Sequence, residues 1–416
     1  MGDATGQDML LTEHLEEQTQ RVRAQREVLG ALGVEGRIAL LAQVAQRWMD
    51  PSDPFRVQAI RALPGECFLA EEQVAWGLDQ AFAGVDASTL RAWWDREGGS
   101  GSASLSAHLW SGNVFVAGLP PVVASLLAGV PAFIKAPSRQ PTFASLLVDS
   151  VAAVAADLGA SLGQAAWPRS DAGATDRLMS AADVVFAFGA DESIAALQVL
   201  APPDLRFCGF GHRYSIAVVL GDTADQVADG RSLESSFGSL EGLARDLLVW
   251  DGQGCLTPRW IFVEGDLGRA QSLAAGAAEF LPELVTRFPG QRLGPQEGAV
   301  RSSWLASAAF AGWSRAGDHW AVAAVPWSEA LPPAPPPRCL CFAAIPDLAL
   351  LPSILAPLGR RLQGVARLGT VARDQELAEL CAPLGLSRLA KAGALQQPPV
   401  DWNHDDVRIL ASLCAG

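Results

Sequence analysis

The sequence predicts an α/β fold built on parallel sheets, and three observations lead there. From about residue 113 onward, short apolar runs suited to buried strands alternate with stretches of helical periodicity. Half of the residues are hydrophobic and 18% are charged, enough for a large packed interior. With 416 residues the chain exceeds one simple core, so two or three domains are expected.

The elements follow in order. Leu11 to about Trp48 is predicted helical: Leu11, Leu15, Val22, Leu29 and Leu32 recur near helical spacing, and Leu40, Leu41, Val44 and Trp48 resume after a glycine break. Ser52-Asp53-Pro54 is a cap and proline that start another helix. Gly98 to Ser106 is a Gly/Ser-rich connector. Beyond it, strands are predicted at Asn113–Ala117, Pro131–Lys135 and Asp183–Phe188, with helices at Pro121–Leu127, Thr142–Leu158 and Glu192–Leu200. Further strands are expected at Tyr214–Leu220, behind Cys255 to Val263, and at Leu340–Ile345 after a proline-rich surface loop over Leu331–Pro337. The expected domains are a helical region over 1–97, sheet domains over 98–222 and 223–390, and a terminal segment over 391–416. Ligands of such sheets bind at the carboxyl ends of strands, where Lys135 and Gly189 are expected.

Composition excludes several classes. A formal charge of −14 argues against a nucleic-acid backbone as main partner. Seven scattered cysteines, with no secretory signal before them, read as reduced thiols of a cytoplasmic protein. Five dispersed histidines and no C-x-x-C pair give no metal site. The uncharged stretch Val114–Ile134 imitates a membrane span, but Pro120, Pro121, Pro131, Gly118 and Gly129 suit strand–helix–strand better.

The chemistry concentrates at Trp250–Arg259, W-D-G-Q-G-C-L-T-P-R, which sets Cys255 on a glycine-rich turn before an apolar strand. A nucleophilic thiol must be reachable and its thiolate stabilised. Gly252 and Gly254 remove side chains that would crowd an approaching carbonyl, and Gln253 with nearby backbone N–H groups can hold an oxyanion. The competing reading is a small buried hydrophobe.

That D-G-Q-G-C-L-T-P-R stretch, V-V-F-A-F-G-A-D-E-S-I at 184–194, G-F-G-H-R-Y-S at 209–215 and D-W-N-H-D-D at 401–406 together resemble the aldehyde dehydrogenase superfamily, and within it the LuxC-type acyl-CoA reductase branch. The resemblance implies an aldehyde dehydrogenase-like fold, with a Rossmann-like NADP-binding domain and an α/β catalytic domain carrying the cysteine. It assigns Cys255 as nucleophile, Asn113 as oxyanion donor, Lys135 as a cofactor-ribose contact and Gly189 as the point of backbone approach to the pyrophosphate. Bland alternatives stand beside these: a turn residue for Asn113, a solvated lysine, a strand-ending glycine.

Two departures from the family pattern carry information. NAD-preferring relatives place a glutamate three residues after the lysine; here Ser138 stands there, followed by Arg139, a pair suited to a 2′-phosphate. NADPH is therefore expected over NADH. Hydrolytic relatives keep a glutamate base where this chain has Gly209. Without that base a thioacyl enzyme resists water, losing a factor of about 10²–10⁴ in hydrolysis. His212 is either a substitute base or structural.

The resemblance thus implies NADPH-dependent reduction of an acyl thioester, on CoA or a carrier protein, to an aldehyde through a Cys255 thioacyl enzyme. The rivals are an aldehyde dehydrogenase working oxidatively, and an acyl-transfer or scaffold subunit without redox activity. Relatives often pair, so a homodimer or a complex with an acyl-transferring partner is allowed.

Overall fold

The computed structural model describes residues 4–99, 102–221, 238–291 and 293–414, and divides the chain into two compact units. One comprises Met1–Gly211 with Pro399–Gly416, the other His212–Pro398. The expected border at 222/223 lies outside the described residues.

In the first unit, six helices precede the sheet: α1 (Ala4–Arg23), α2 (Arg26–Ala31), α3 (Gly33–Met49), α4 (Pro54–Cys67), α5 (Glu71–Ala83) and α6 (Ala87–Glu97). The predicted periodicity is the buried stripe: Leu15, Val22, Leu29, Leu41, Val44 and Trp48 are all buried. Gly33 supplies the break between α2 and α3 with a left-handed φ of 64°. Asp53 caps α4 by accepting from the Phe55 N–H at 2.9 Å, with Pro54 opening the helix.

The sheet that follows has five parallel strands in the order β3-β2-β1-β4-β5. They are β1 (Ser106–Leu109), β2 (Ala132–Pro137), β3 (Leu162–Trp167), β4 (Val184–Phe188) and β5 (Arg206–Phe210). Between them run α7 (Leu119–Ala128), α8 (Thr142–Val154), α9 (Ala156–Ala160), α10 (Ala172–Ala181) and α11 (Asp191–Leu200).

Several expectations need correction. The first strand is Ser106–Leu109, and 113–117 is a turn. The connector was expected to run to Ser106 and the polar Ser106 and His108 gave no strand signal, yet both are fully buried. Part of their polarity is met internally: His108 Nε2 lies 3.0 Å from Ser106 Oγ and 3.3 Å from Ser125 Oγ, while His108 Nδ1 is buried without a partner. The stretch Val114–Ile134 accordingly divides into turn, α7 and the start of β2. The expected helix to Leu158 breaks at Ala155 (φ −151°, ψ 120°), and the bend brings Gly159 so close to Ala152 that a Cβ would sit 2.4 Å from its Cα. The edge strands β3 and β5 had no clear apolar signal.

Burial pushes His108 down to about 3 from 6.5. The folded pKa is depressed, so the contribution is whole above pH 6.5 and is lost as pH falls toward 3. This unit should therefore lose about 2 kcal/mol between pH 7.5 and pH 5. Urea unfolding at both values checks it: the acid loss should shrink in His108→Leu, and equal losses in both proteins would refute it.

The second unit holds a seven-stranded sheet in the order β12-β11-β6-β7-β10-β9-β8, parallel except for β8 against β9. Its strands are β6 (Tyr214–Val219), β7 (Pro258–Glu264), β8 (Trp313–Gly317), β9 (Trp320–Val325), β10 (Cys339–Ile345), β11 (Leu362–Leu368) and β12 (Arg388–Lys391). The helices that matter for the site are α12 (Leu240–Leu248), α13 (Leu267–Arg287) and α14 (Pro295–Ala311). The core joins Trp260 and Phe262 of β7 to the wholly buried β10. Among the described residues, no single helix is long and apolar enough to cross a membrane.

Candidate active site

In the first unit, β1 lies between β2 and β4, both parallel to it. The chain leaves β1 to one side for β2 and returns on the other for β4, the switch point where such sheets open a crevice. Asn113, Ser138, Arg139 and Gly189 all follow the carboxyl ends of these three neighbouring strands. Asn113 is exposed on the turn after β1, where its Oδ1 accepts from Ser111 Oγ at 2.9 Å. Ser138 and Arg139 are exposed on the turn after β2.

Lys135 sits two residues inside β2, not at its end, level with Leu109 and half-buried. Its ammonium lies 5.8 Å from the Trp167 ring centroid, and burial lowers its pKa. Gly189 follows β4 and donates its N–H to the Phe210 carbonyl at 3.2 Å. A Cβ there would meet Ser193 Cβ at 3.4 Å and Ile194 Cδ1 at 3.8 Å, both ordinary contacts, so packing alone does not demand glycine. Asp191 and Glu192 fill the first turn of α11 and complement its positive end.

The D-W-N-H-D-D segment folds back onto the ends of β4 and β5. His404 stacks 4.5 Å from the Phe210 ring and 4.6 Å from Trp402, with Phe188 at 5.8 Å. Asp405 and Asp406 adopt left-handed φ of 52° and 64°. Gly209 lies within β5, opposite Ala187. A Cβ there would fall 2.6 Å from Ile194 Cγ2 and 2.9 Å from Phe207 Cε1, so a larger residue forces movement. Gly209→Ala should lower stability by about 1–3 kcal/mol; an unchanged melting temperature would contradict this contact.

In the second unit, Cys255 sits on the loop between α12 and β7. Asp251 and Gly252 take left-handed φ of 55° and 71°. Gly252 is required: a Cβ would stand 2.8 Å from the Arg338 backbone N. The Thr257 N–H donates to the Gly254 carbonyl at 3.0 Å, closing a turn whose two central residues are Cys255 and Leu256. Ser215 Oγ, from the start of β6, donates to the Cys255 carbonyl at 2.9 Å. The loop is pinned from below by Asp251 and Arg338, both buried and 2.8 Å apart. Arg338 also donates to the carbonyls of Phe288 at 2.8 Å and His319 at 2.7 Å. Burial raises the Asp251 pKa, and Arg338 counters it.

Cys255 is half-buried. All seven cysteines lie outside disulfides, and five are buried. Burial pushes Cys339 up to about 11 and Cys341 and Cys381 to about 12, which keeps them protonated at neutral pH. Burial likewise raises Cys67, Cys208 and half-buried Cys414. Gln253 is exposed beside Cys255, and His212 is exposed with its ring 5.4 Å from that of Tyr214. The anchors Asp251–Arg338 and Ser215 carry no motif of their own in this role; their partners lie too far along the chain for local pattern to link them.

A family model described as acyl-CoA reductase (LuxC) matches residues 30–415. The chain belongs to the acyl-CoA reductase (LuxC) family. Its similarity to the long-chain acyl-protein thioester reductase of Aliivibrio fischeri is 29% identity over 165 residues, covering 39% of this chain and 32% of that protein. For long-chain acyl-protein thioester reductase 2 of Photobacterium leiognathi it is 30% over 164 residues, with 39% and 32% covered. The matches thus span about a third of the length of these curated relatives.

The fold of this LuxC-family chain is that of the aldehyde dehydrogenases. The putative aldehyde dehydrogenase PutA of Anabaena variabilis superposes with a TM-score of 0.65 at 15% identity, over 92% of this chain and 85% of that one. An NAD-dependent benzaldehyde dehydrogenase from Corynebacterium glutamicum gives 0.68 at 14% identity, over 95% and 86%. The NADP-complexed glyceraldehyde-3-phosphate dehydrogenase GapN of Methanocaldococcus jannaschii gives 0.64 at 11%, over 92% and 86%.

Proposed function

We propose that this chain reduces an acyl thioester, carried on CoA or on a protein, to an aldehyde through a thioacyl enzyme on Cys255, with NADPH as reductant. The observation that carries this reading is the pinned turn that holds a half-buried Cys255 in a LuxC-family chain. A cysteine thiolate attacks the acyl carbon and expels the carrier thiolate, which takes a proton from solvent. The Cys255 N–H stabilises the acyl oxygen as charge develops on it, and the family resemblance assigns Asn113 as a second donor. After reduction of the acyl carbon, the C–S bond breaks, releasing aldehyde and the Cys255 thiolate. The absence of a carboxylate at Gly209 protects the thioacyl enzyme from water meanwhile.

NADPH, when bound, supplies the hydride. The switch point around β1 suits a dinucleotide. Ser138 and Arg139 are exposed there and would offer a hydroxyl and a guanidinium to the 2′-phosphate, Lys135 would hold the ribose, and Gly189 would admit the pyrophosphate. Because Asp191 and Glu192 already complement the α11 dipole, phosphate selectivity is assigned to the β2 turn. Arg139→Ala should raise the KM for NADPH about 10-fold or more and leave that for NADH unchanged. Equal shifts for both would remove the assignment.

Cysteines outside disulfides suit a reducing compartment such as the cytoplasm. An acyl-transferring partner would supply a protein-bound substrate. A panel of acyl-CoA thioesters with NADPH, followed by aldehyde trapping, tests the reading directly. Turnover only with aldehyde and NAD would favour the oxidative direction, and acyl labelling that NADPH cannot discharge would favour a transfer subunit.

A further inference from the structure

Behind the Cys255 loop is a second, wholly buried polar device that the reaction scheme does not use. The Asp246 side chain, on α12, is 1% exposed and its Oδ2 accepts the Gly393 N–H at 2.7 Å. The backbone N–H groups of Leu395 and Gln396 also point to it. Three donors therefore converge on one carboxylate and shape the turn after β12. Gly242 and Gly393 make this approach feasible, since a Cβ on Gly242 would stand 2.8 Å from Gly393 Cα.

That turn presents Gln396, 5% exposed, to the nucleophile's loop. Its Nε2 donates to the Asp246 carbonyl at 2.9 Å and to Thr257 Oγ1 at 3.0 Å. Its Oε1 lies 3.3 Å from where a Gly254 Cβ would be. Gly254 and Thr257 are the two corner residues of the turn carrying Cys255. The carboxamide thus holds the Thr257 end of that turn and packs close to Gly254, where a side chain would crowd it, while Ser215 holds the Cys255 carbonyl.

We infer that Asp246 and Gln396 are positioning residues that set the Cys255 turn for attack on the acyl carbon. The inference rests on the assignment of Cys255 as nucleophile. Asp246 works through backbone, and Gln396 through Thr257; neither needs to touch substrate. The ionised carboxylate is the form that offers acceptors to all three N–H groups, so the clamp is complete only when Asp246 is charged. Burial pushes Asp246 up to about 7, against those donors and Arg245. The charged groups acting on it are Arg245 of its own helix, which donates to the Gly393 carbonyl at 2.5 Å, and Arg388 of β12, whose guanidinium is bound to the carbonyls of Ala394, Leu395 and Gln397. The clamp accordingly engages as pH rises through neutrality.

The test measures single-turnover acylation by a radiolabelled acyl-CoA in wild type, Gln396→Glu, Thr257→Val, Asp246→Asn and Cys255→Ala. Gln396→Glu keeps the shape and removes the donors; Thr257→Val cuts the same link from the other end if the glutamate variant does not fold. Either should acylate about 10- to 100-fold more slowly, as expected when a reacting group is misplaced, with NADPH affinity unchanged. In Asp246→Asn the pH profile of acylation should lose its ionisation near 7, while the iodoacetamide alkylation profile, which reports the thiol itself, retains its shape. Acylation within twofold of wild type in a folded Gln396→Glu or Thr257→Val, or an acylation profile unaltered in Asp246→Asn, would overturn the inference. Labelling that persists in Cys255→Ala would instead overturn the nucleophile assignment.

Discussion

Cys255→Ala will abolish both acyl labelling and aldehyde formation while leaving the fold intact. The expected fall in kcat is about 10⁴–10⁶-fold, the scale seen when a covalent nucleophile is removed. The fold should survive because Cys255 is half-buried and its carbonyl, which accepts from Ser215, is retained in the alanine variant. The other cysteines cannot substitute: burial raises the pKa of all six. Mass spectrometry after incubation with acyl-CoA reads the adduct on the Cys255 peptide. Turnover near wild type in the variant would end the covalent scheme.

The second large effect concerns the ion pair beneath the loop. Asp251 and Arg338 are buried together, and removing one leaves a charge without its partner in the interior. Arg338→Met or Asp251→Ala should each cost about 3–5 kcal/mol, whereas the double replacement should recover much of that loss. For a unit of this size the single variants should melt roughly 6–20 °C lower. Because Asp251 opens the turn that leads to Cys255, acylation should slow even below the melting range. A single variant within 1 °C of wild type would show that the pair contributes nothing net. Arg338 has the further duty of binding the Phe288 and His319 carbonyls, so its loss should be the worse of the two.

How far the sequence spoke for itself differs between elements. Strands with uninterrupted apolar runs, such as Val184–Phe188 and Cys339–Ile345, were legible because burial on both faces leaves a local signature. The strand Ser106–Leu109 was not: its serine and histidine look solvated until Ser125, distant in the chain, supplies their partner. The same holds at the site. The glycines around Cys255 announce an unusual backbone locally, and Gly252 indeed adopts left-handed φ. Asp246, Gln396 and Arg338 announce nothing, since a glutamine near a pair of prolines or an arginine after a proline-rich loop suits any surface.

From composition, periodicity and the D-G-Q-G-C-L-T-P-R stretch alone came the α/β class, the central apolar strands β2, β4, β6, β7 and β10, several of the helices, and the cysteine around which the chemistry turns. These are short-range properties: a side chain's hydrophobicity, a glycine's freedom and a motif's spacing survive in one dimension. The folded chain decided where the strands order themselves, that β1 lies between β2 and β4, and which remote side chains grip the cysteine's turn. Those facts depend on hydrogen bonds and ion pairs between residues tens to more than a hundred positions apart, such as Thr257 with Gln396 and Asp251 with Arg338. Such contacts are specified by the burial of the whole core, which excludes water and leaves each polar group to find its partner inside the protein.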